Sequence, residues 1–447
     1  MKTISVIGSG YVGVTTAAIA ANAGFRVHLI DISEDRITVL KSGKSFFYEE
    51  GINPLIKLAV DSGNLLPSTS YEPGIAESDI VFSCVGTPDN PDGSSNLEYV
   101  FSAGKTAAPL LKDGAIYVQK STVPVGTGAE VATLLPDHVA YVSNPEFLKE
   151  GTAVSNTLYF DRIVVGGKDA TAVEAVMQLY KTIEKNRASI AQKAGLNTPE
   201  KAGEYIATNL ESAELIKVTS NAFLALKISF ANSIAKLADE SGADVVDVMN
   251  AVGADKRIGS AFFNAGRGYG GGCFPKDVSG LIASASDHGV DMPIMVAATD
   301  VNDSMPGYIA NKAQKYLGGI LHDKKVCVLG LAFKAGTSDA RRSPGVNLAN
   351  ILDKAGANVQ AYDPHANKEA KEELRASIVL HETAEEACQE CEAVFIATEW
   401  PEFKDINFKA LKQNMQGDLL FDGINLLAPS DIKHVGLHYM AVGRENL

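Results

Sequence analysis

The chain has 447 residues, 46% hydrophobic and 21% charged, an ordinary globular composition that at roughly 150 residues per domain predicts two or three domains and excludes disordered and fibrous classes. Its 54 acidic and 40 basic side chains leave a net charge of −14, which opposes polyphosphate, so without a local basic patch no nucleic-acid partner is expected. No apolar run approaches the roughly 20 residues that span a bilayer, and Met1 leads into a strand and glycine loop rather than a charged leader and apolar core; the expectation is a cytoplasmic protein with no membrane segment.

Short apolar runs at residues 4–7, 27–30, 80–85, 115–118, 139–142 and 163–165 alternate with helical patterns. Buried strands separated by helices predict a parallel sheet covered on both faces. The first run feeds Gly8-Ser9-Gly10-Tyr11-Val12-Gly13, which opens an Ala- and Thr-rich helix, and the second ends in Asp31. In this dinucleotide fingerprint Gly8 permits a tight turn, Gly10 lets backbone amides approach a pyrophosphate, and Gly13 lets helix and strand pack closely. The helix N-terminus adds partial positive charge. Asp31 is placed to accept hydrogen bonds from a ribose diol and to repel a 2′-phosphate, favouring NAD over NADP. Arg36 has three open placements: on a phosphate, stacked on adenine, or in solvent.

Residues 185–209 hold few large apolar side chains and read as a surface helical excursion or flexible insertion. From 211 to 252, Leu215, Val218, Ala222, Ala225, Ile228 and Ala235 recur near helical spacing with no proline, which predicts one long helix. Its small residues suit close packing against another helix, in the same chain or in a second copy. After Pro306 apolar runs resume at 325–329, 359–362, 393–397 and 419–421. The expected fold is α/β, with two Rossmann-like parallel-sheet domains joined by a long central helix and helical dimerisation region. The expected boundaries are 1–205, 206–305 and 306–447. The second half repeats strand-loop-helix logic around residues 326–331, with a following strand that ends at Asp363, but it lacks the full glycine pattern. That leaves a scaffold or a site for a different nucleotide.

Residues 266–277, Gly-Arg-Gly-Tyr-Gly-Gly-Gly-Cys-Phe-Pro-Lys-Asp, are too glycine-dense for an element interior. They predict a constrained loop where backbone approaches a ligand or another chain. Cys273 follows the glycines, with Lys276 and Asp277 one helical turn on. Lys276 and a helix N-terminus are placed to lower a thiol pKa, and Asp277 to hold water or move a proton. Cys84 and Cys327 lie in apolar strands, and Cys388 with Cys391 forms a single C-x-x-C with no second pair or His partner, a poor zinc site. No metal is expected.

With the segments VGTP (85–88), STVPVGT (121–127), NPEFLKEG (144–151), ELIKVTSNAF (214–223), GGGCFPKD (270–277) and GLAFKAGTSDARRSP (330–344), the chain resembles the UDP-glucose 6-dehydrogenase family over nearly its whole length. The resemblance implies an N-terminal NAD domain, a helical dimer-forming middle and a C-terminal domain for the UDP moiety. It also implies oxidation of a sugar's primary alcohol to a carboxylate by two NAD molecules, through a thiohemiacetal and a thioester on Cys273. Lys217 and Asn221, four residues apart on one helix face, are then the pair that holds the developing oxyanion. Glu146 becomes the base for water attack, and Thr122 and Asp277 position water; which carboxylate takes the proton in each half-reaction stays open.

The resemblance further assigns Glu146, Phe147, Leu148, Lys149, Lys217, Asn221, Arg257, Phe262, Tyr269, Gly270 and Lys334 to the substrate, Arg257 reaching it from a neighbouring subunit. To the cofactor it assigns Gly8, Gly10, Tyr11, Val12, Gly13, Asp31, Arg36, Gly86, Thr87, Thr122, Glu150, Lys276 and Arg341. UDP-glucose and a homodimer are the implied partners. Three departures stand out: Tyr48-Glu49-Glu50-Gly51 where the family commonly has Tyr-Glu-Pro-Gly, a further glycine where Ser precedes the cysteine, and Ile424 where many relatives carry a substrate-binding Arg. That last exchange puts the sugar in question and leaves room for a compensating Lys or Arg elsewhere. Same-chemistry substrates (GDP-mannose, UDP-N-acetylhexosamines), a catalytically silent nucleotide-sugar sensor and a single-oxidation alcohol dehydrogenase are the competing readings.

Overall fold

A computed structural model describes residues 2–197 and 203–444. The chain divides into two compact units, Met1–Ser220 and Asn221–Leu447, and the division falls within one continuous helix, Leu210–Ser241.

The first unit is built on an eight-stranded sheet of β1 (Thr3–Ile7), β2 (Arg26–Ile30), β3 (Leu65–Ser68), β4 (Ile80–Ser83), β5 (Ile116–Gln119), β6 (Ala140–Ser143), β7 (Arg162–Gly167) and β8 (Glu204–Thr208), ordered β3-β2-β1-β4-β5-β6-β7-β8. All six apolar runs become strands, because each can be buried on both faces only inside a helix-covered sheet. Ile4, for example, pairs with Val27 on one side and Ile80 on the other. The sheet is not wholly parallel as expected: β6 and β7 run antiparallel, Val142 opposite Gly167. Residues 144–161 do not cross the sheet; they turn back through a loop and the short helix Ala153–Leu158.

The reading of residues 185–209 as a surface excursion also needs correction. Residues 185–194 complete the helix Ala170–Ala194, and β8 pairs with β7 from Arg162↔Glu204 to Gly166↔Thr208. The part of that stretch from 198 to 202 lies outside the described residues. β8 is only partly buried at the sheet's edge, so its sequence shows no apolar run. β3 was also unforeseen; it includes Pro67 and sits at the opposite edge, where a missing N–H is tolerated.

In the second unit β9 (Lys325–Leu329), β10 (Asn358–Tyr362), β11 (Val379–Leu380), β12 (Ala393–Ile396), β13 (Leu419–Asp422) and β14 (His438–Ala441) form a parallel sheet ordered β11-β10-β9-β12-β13-β14. The short edge strands β11 and β14 were not foreseen. Pro306 lies inside the helix Pro293–Tyr316, so the strands begin only at Lys325. The single helix expected over 211–252 is two: Gly242, at φ +77, ends Leu210–Ser241. Asp244 then caps Val245–Gly253 by accepting the Val246 N–H at 2.8 Å. Ala222, Ala225 and Ala235 on the long helix are buried as its pattern requires, but Leu215 is 43% exposed. Between them the two sheets and the helical stretch make the expected α/β architecture.

The glycine loop after β1 separates steric from functional need. A Cβ on Gly13 would lie 1.9 Å from the Gly8 carbonyl oxygen, whereas one on Gly10 would meet nothing within 4 Å. Gly13→Ala is therefore expected to destabilise the first unit by about 1–3 kcal/mol, the usual cost of overpacking. Gly10→Ala should leave the thermal midpoint within a degree or so of the parent, about ±0.5 kcal/mol. Melting curves followed by circular dichroism check the contrast, and equal effects of the two changes would refute it.

Candidate active site

In the first unit the strand order reverses between β1 and β4, and the loops at their carboxyl ends frame a crevice there, the usual ligand position in such sheets. Gly8, at φ +95, lets the chain turn with its α-carbon hard against Cys84; a Cβ would lie 2.7 Å from that carbonyl oxygen. Gly10 leaves open backbone at the N-terminus of helix Tyr11–Asn22. Asp31, just after β2, accepts the Ser9 N–H and hydroxyl, each at 2.6 Å, and the Ser33 N–H at 2.9 Å. The acid thus braces the glycine loop itself. Arg36, half exposed, lies 3.8 Å from Asp31 and 5.1 Å from the Phe46 ring centre.

Gly86 is exposed and Thr87 buried, both after β4. Thr122 follows β5 in a turn where Ser121 donates to the Val85 carbonyl at 2.7 Å. An open backbone, a helix N-terminus and an acid beyond the second strand fit a nicotinamide dinucleotide.

Tyr11 is the junction of this unit. Its hydroxyl donates to Glu49 and accepts the Gly151 N–H at 2.6 Å, while Glu49 accepts the Val154 N–H at 3.1 Å. Burial, the Glu49 hydrogen bond and the charges of Glu49 and Glu150 push the phenol well above its ordinary range. Glu150 therefore lies near the Tyr11 phenol. Glu49 was missed by the sequence reading; its only signal was an acid beside a turn glycine, Gly51 at φ +78.

The loop after β6 carries Glu146, the carboxylate expected to act as a base. Asn144 is buried, donating to the Val164 carbonyl at 2.8 Å and accepting from Tyr180 and from the buried Lys120 ammonium at 3.3 Å. This anchors the Asn144-Pro145 turn, beyond which Glu146 Oε1 meets Lys217 Nζ at 2.8 Å. Burial by itself would raise the Glu146 carboxyl. The Lys217 ammonium, the Leu148 N–H and the Lys120 charge outweigh it and hold the group below the ordinary carboxylate range. Arg162 stacks on Phe147 with its guanidinium carbon 3.9 Å from the ring centre, and Lys217 Nζ is 5.7 Å from the same ring.

Beneath the loop lies a cavity of about 60 Å³ lined by Lys120, Glu146, Phe147, Leu148, Arg162 and Tyr180 among others, room for a few waters. Lys149 is exposed. Glu214, one turn before Lys217, accepts the Gly126 and Gly128 N–H groups at 2.8 Å each and so ties the helix to the Thr122 loop. Burial pushes its carboxyl up to about 7 against those two donors.

In the second unit Cys273 caps the helix Phe274–Asp287 and is exposed. The other four thiols are buried; burial pushes Cys84 and Cys391 up to about 12, and Cys327 lies 3.6 Å from Cys388 inside the core. Cys273 is thus the accessible thiol of the five. One turn on, Asp277 accepts from Asn221 Nδ2 at 2.6 Å and from Lys276 Nζ at 2.5 Å. Asn221 stands four residues after Lys217 on the continuous helix, so both project from one face.

The glycines before Cys273 also meet a need inside the chain. They let the loop approach its own chain: a Cβ on Gly270 would lie 2.3 Å from the Arg342 carbonyl oxygen, one on Gly271 2.8 Å from the Phe333 ring, and one on Gly272 2.6 Å from the Arg341 guanidinium. Asn232 and Asn302, lone polar residues on helices and missed by the sequence reading, clamp the loop by accepting the Gly266 and Tyr269 N–H groups at 2.7 Å.

The remaining expected residues are dispersed. Tyr269 packs edge-on to Phe274, and Phe262 sits beside the same ring at φ +60, a strained conformation for a bulky residue. Lys334 lies against Phe333, and Arg341 pairs with Asp339 at 2.6 Å. Arg257 is exposed and pairs with Asp255 at 2.6 Å. In the second sheet Asp363 is saturated by the N–H groups of Leu331, Ala332, His365 and Ala366 and by the Trp400 indole. No oxygen there is left for a ribose, in keeping with a loop that lacks the glycine pattern.

Comparison with known proteins agrees with this geometry. Three parts of the UDP-glucose/GDP-mannose dehydrogenase family match in chain order: its NAD binding domain over residues 2–184, its central domain over 211–304 and its UDP binding domain over 327–429. UDP-glucose 6-dehydrogenase YwqF of Bacillus subtilis is 38% identical over 99% of this chain and 98% of its own length. The structure of a UDP-glucose dehydrogenase from Pyrobaculum islandicum superposes with a TM-score of 0.88 at 35% identity, covering 100% of this chain and 98% of that one. A UDP-D-ManNAc dehydrogenase from Pyrococcus horikoshii follows at 0.86 and 27%, covering 99% of each. Among the described residues no helix is long and apolar enough to cross a membrane. The chain therefore belongs to the UDP-glucose/GDP-mannose dehydrogenase family and is an NAD-dependent nucleotide-sugar dehydrogenase.

Proposed function

We propose that the chain oxidises the primary alcohol of UDP-glucose to the carboxylate of UDP-glucuronate, by way of a thioester on Cys273. One observation carries the reading: the exposed thiol opens a helix whose first turn holds a carboxylate already bound to an amide and an ammonium. UDP-glucose is favoured over other sugars because relatives at 34–38% identity over nearly the full length are UDP-glucose 6-dehydrogenases.

NAD, when bound, would supply the hydride acceptor for each of the two oxidations. In the first, the alcohol proton leaves to a water held by the Asp277 carboxylate or by the Thr122 hydroxyl. Cys273 Sγ then bonds to the aldehyde carbon, giving a thiohemiacetal from which a second hydride can depart. Lys217 and Asn221, side by side on their helix, donate to the oxygen as it gains charge. The product of the second oxidation is a thioester, which Glu146, kept ionised by Lys217, opens by taking a proton from the attacking water. The carbon–sulfur bond breaks, the acid leaves, and the thiolate is restored. Gly10 to Gly13 and Asp31 would hold the cofactor; Phe147, Leu148, Lys149, Lys334 and the partner-reaching Arg257 would hold the sugar nucleotide.

The homodimer belongs to the same reading. Phe223, Phe230 and Leu237 repeat every seven residues along the long helix and are 59%, 49% and 63% exposed, an apolar stripe suited to a second copy of the helix. A monomeric mass by light scattering would overturn this part.

Ile424 favours keeping other sugars in view. NAD reduction should be measured with UDP-glucose, GDP-mannose, UDP-N-acetylglucosamine and UDP-N-acetylmannosamine. The expected result is turnover on UDP-glucose with two NADH per sugar acid; turnover of a different sugar alone overturns the substrate, and one NADH per product overturns the double oxidation. Cys273→Ser should abolish steady turnover, and unchanged turnover would refute the covalent route.

The pH dependence tests the ion pair. Glu146 acts ionised, so turnover falls as pH drops through its pKa, and in the parent that limb lies below the ordinary carboxylate range. Lys217→Met removes the largest of the groups that oppose burial and leaves only the Leu148 N–H and the Lys120 charge, so the limb should move to higher pH and turnover should fall by about 10²–10⁴-fold. An acid limb that does not move would count against Glu146 as the base.

A further inference from the structure

The glycine loop carries an arginine that the chemistry above does not use. Arg267 is 3% exposed. Its Nη2 donates to the Phe333 carbonyl at 2.8 Å and to the Thr398 hydroxyl oxygen at 3.3 Å, and Thr398 in turn donates to the Ala332 carbonyl at 2.7 Å. Nε and Nη1 are buried with no hydrogen-bond partner among the described residues. Nearby negative charge does not balance the guanidinium: Asp363 is saturated by five other donors, and Glu399, half exposed, stands 4.0 Å from Nη2. A guanidinium is not neutralised at any ordinary pH, so a buried one with two idle donors points to an anion.

Its place in the fold says where that anion would sit. Phe333 follows β9 and Thr398 follows β12, the two strands between which the order of the second sheet reverses. Ligands of doubly wound sheets bind in that crevice. The preceding residue, Gly266, packs on the loop after β13: a Cβ there would lie 2.9 Å from the Gly423 carbonyl oxygen and 3.1 Å from the Ile424 α-carbon. Arg267 thus enters the crevice beside the very position that here holds an isoleucine.

We infer that Arg267 is a binding residue for the diphosphate of the nucleotide sugar, supplying from the cysteine loop the guanidinium that Ile424 does not. This deepens the nucleotide-sugar reading and rests on it. Phe333, Thr398 and Ile424 all lie within the part of the chain that matches the UDP binding domain. Because the two donors are enclosed, the segment 330–343, which is free of helix and strand, shifts as the anion enters. Two phosphate oxygens on Nε and Nη1 make the paired contact for which a guanidinium is suited and an ammonium is not.

The test uses the full-length protein with UDP as the probe, its dissociation constant measured by calorimetry, and thermal midpoints recorded to confirm folding. Arg267→Ile is expected to weaken UDP binding by about tenfold or more, Arg267→Lys to recover only part of it, and the exchange Arg267→Ile with Ile424→Arg to restore it. Arg267→Lys keeps the question answerable if Arg267→Ile does not fold, since a bidentate contact predicts weakened UDP binding even in a folded lysine variant. A folded Arg267→Ile or Arg267→Lys variant that binds UDP as tightly as the parent overturns the role of Arg267. Weakened binding that Ile424→Arg does not rescue also overturns it, because it marks a structural loss. A parent that binds no UDP overturns the underlying nucleotide reading instead.

Discussion

Taking a carboxylate out of water is costly unless a charge and hydrogen bonds meet it, and Glu146 is where the first unit meets that constraint. Lys217 reaches it from the long helix, the Leu148 N–H from its own loop, and Lys120 adds charge from behind while holding Asn144. Remove the helix and the carboxylate would protonate or the loop would open. Because Glu214 on the same helix binds two amides of the loop that follows Thr122, one helical turn contacts both the Glu146 carboxylate and that loop. The helix continues unbroken to Asn221, which holds Asp277 beside the cysteine helix.

Glycine does two different jobs in the two loops. After β1, Gly13 makes room for a strand and helix to touch, and Gly10 leaves backbone bare for a phosphate. Before Cys273 the glycines bring the loop into contact with residues 333 and 341–344 of the same unit, and two asparagines clamp it. The proposed covalent role of Cys273 would gain from such rigidity, since a misplaced nucleophile loses much of its advantage. The same tight packing presses Arg267 into the second sheet's crevice.

The contrast between Asp31 and Asp363 shows how one fold takes two roles. Each acid ends the second strand of its sheet and each takes backbone N–H groups from the loop after the first strand. Asp31 has a serine loop, a neighbouring arginine and open backbone at Gly10; Asp363 is also sealed by a tryptophan indole and by the start of its own following turn. The architecture recurs, but what can bind is settled by which donors each carboxylate already has.

Most of the strands, the glycine fingerprint and the long helix were legible in the amino-acid order alone. They follow from local rules: buried strands must be apolar, and a phosphate loop must lack side chains. The family motifs added candidate roles for Glu146, Lys217, Asn221 and Asp277. What depended on distant parts of the chain was not legible. β8 is a strand because β7 offers it a partner, β6 and β7 run antiparallel because the connecting loop turns back, and the helix ends at Gly242 where Asp244 starts another. Glu49, Lys120, Asn232, Asn302 and Arg267 look like scattered polar residues until folding removes the water around them. Burial turns each into a group whose donors and acceptors must be met, and only the three-dimensional arrangement decides by whom.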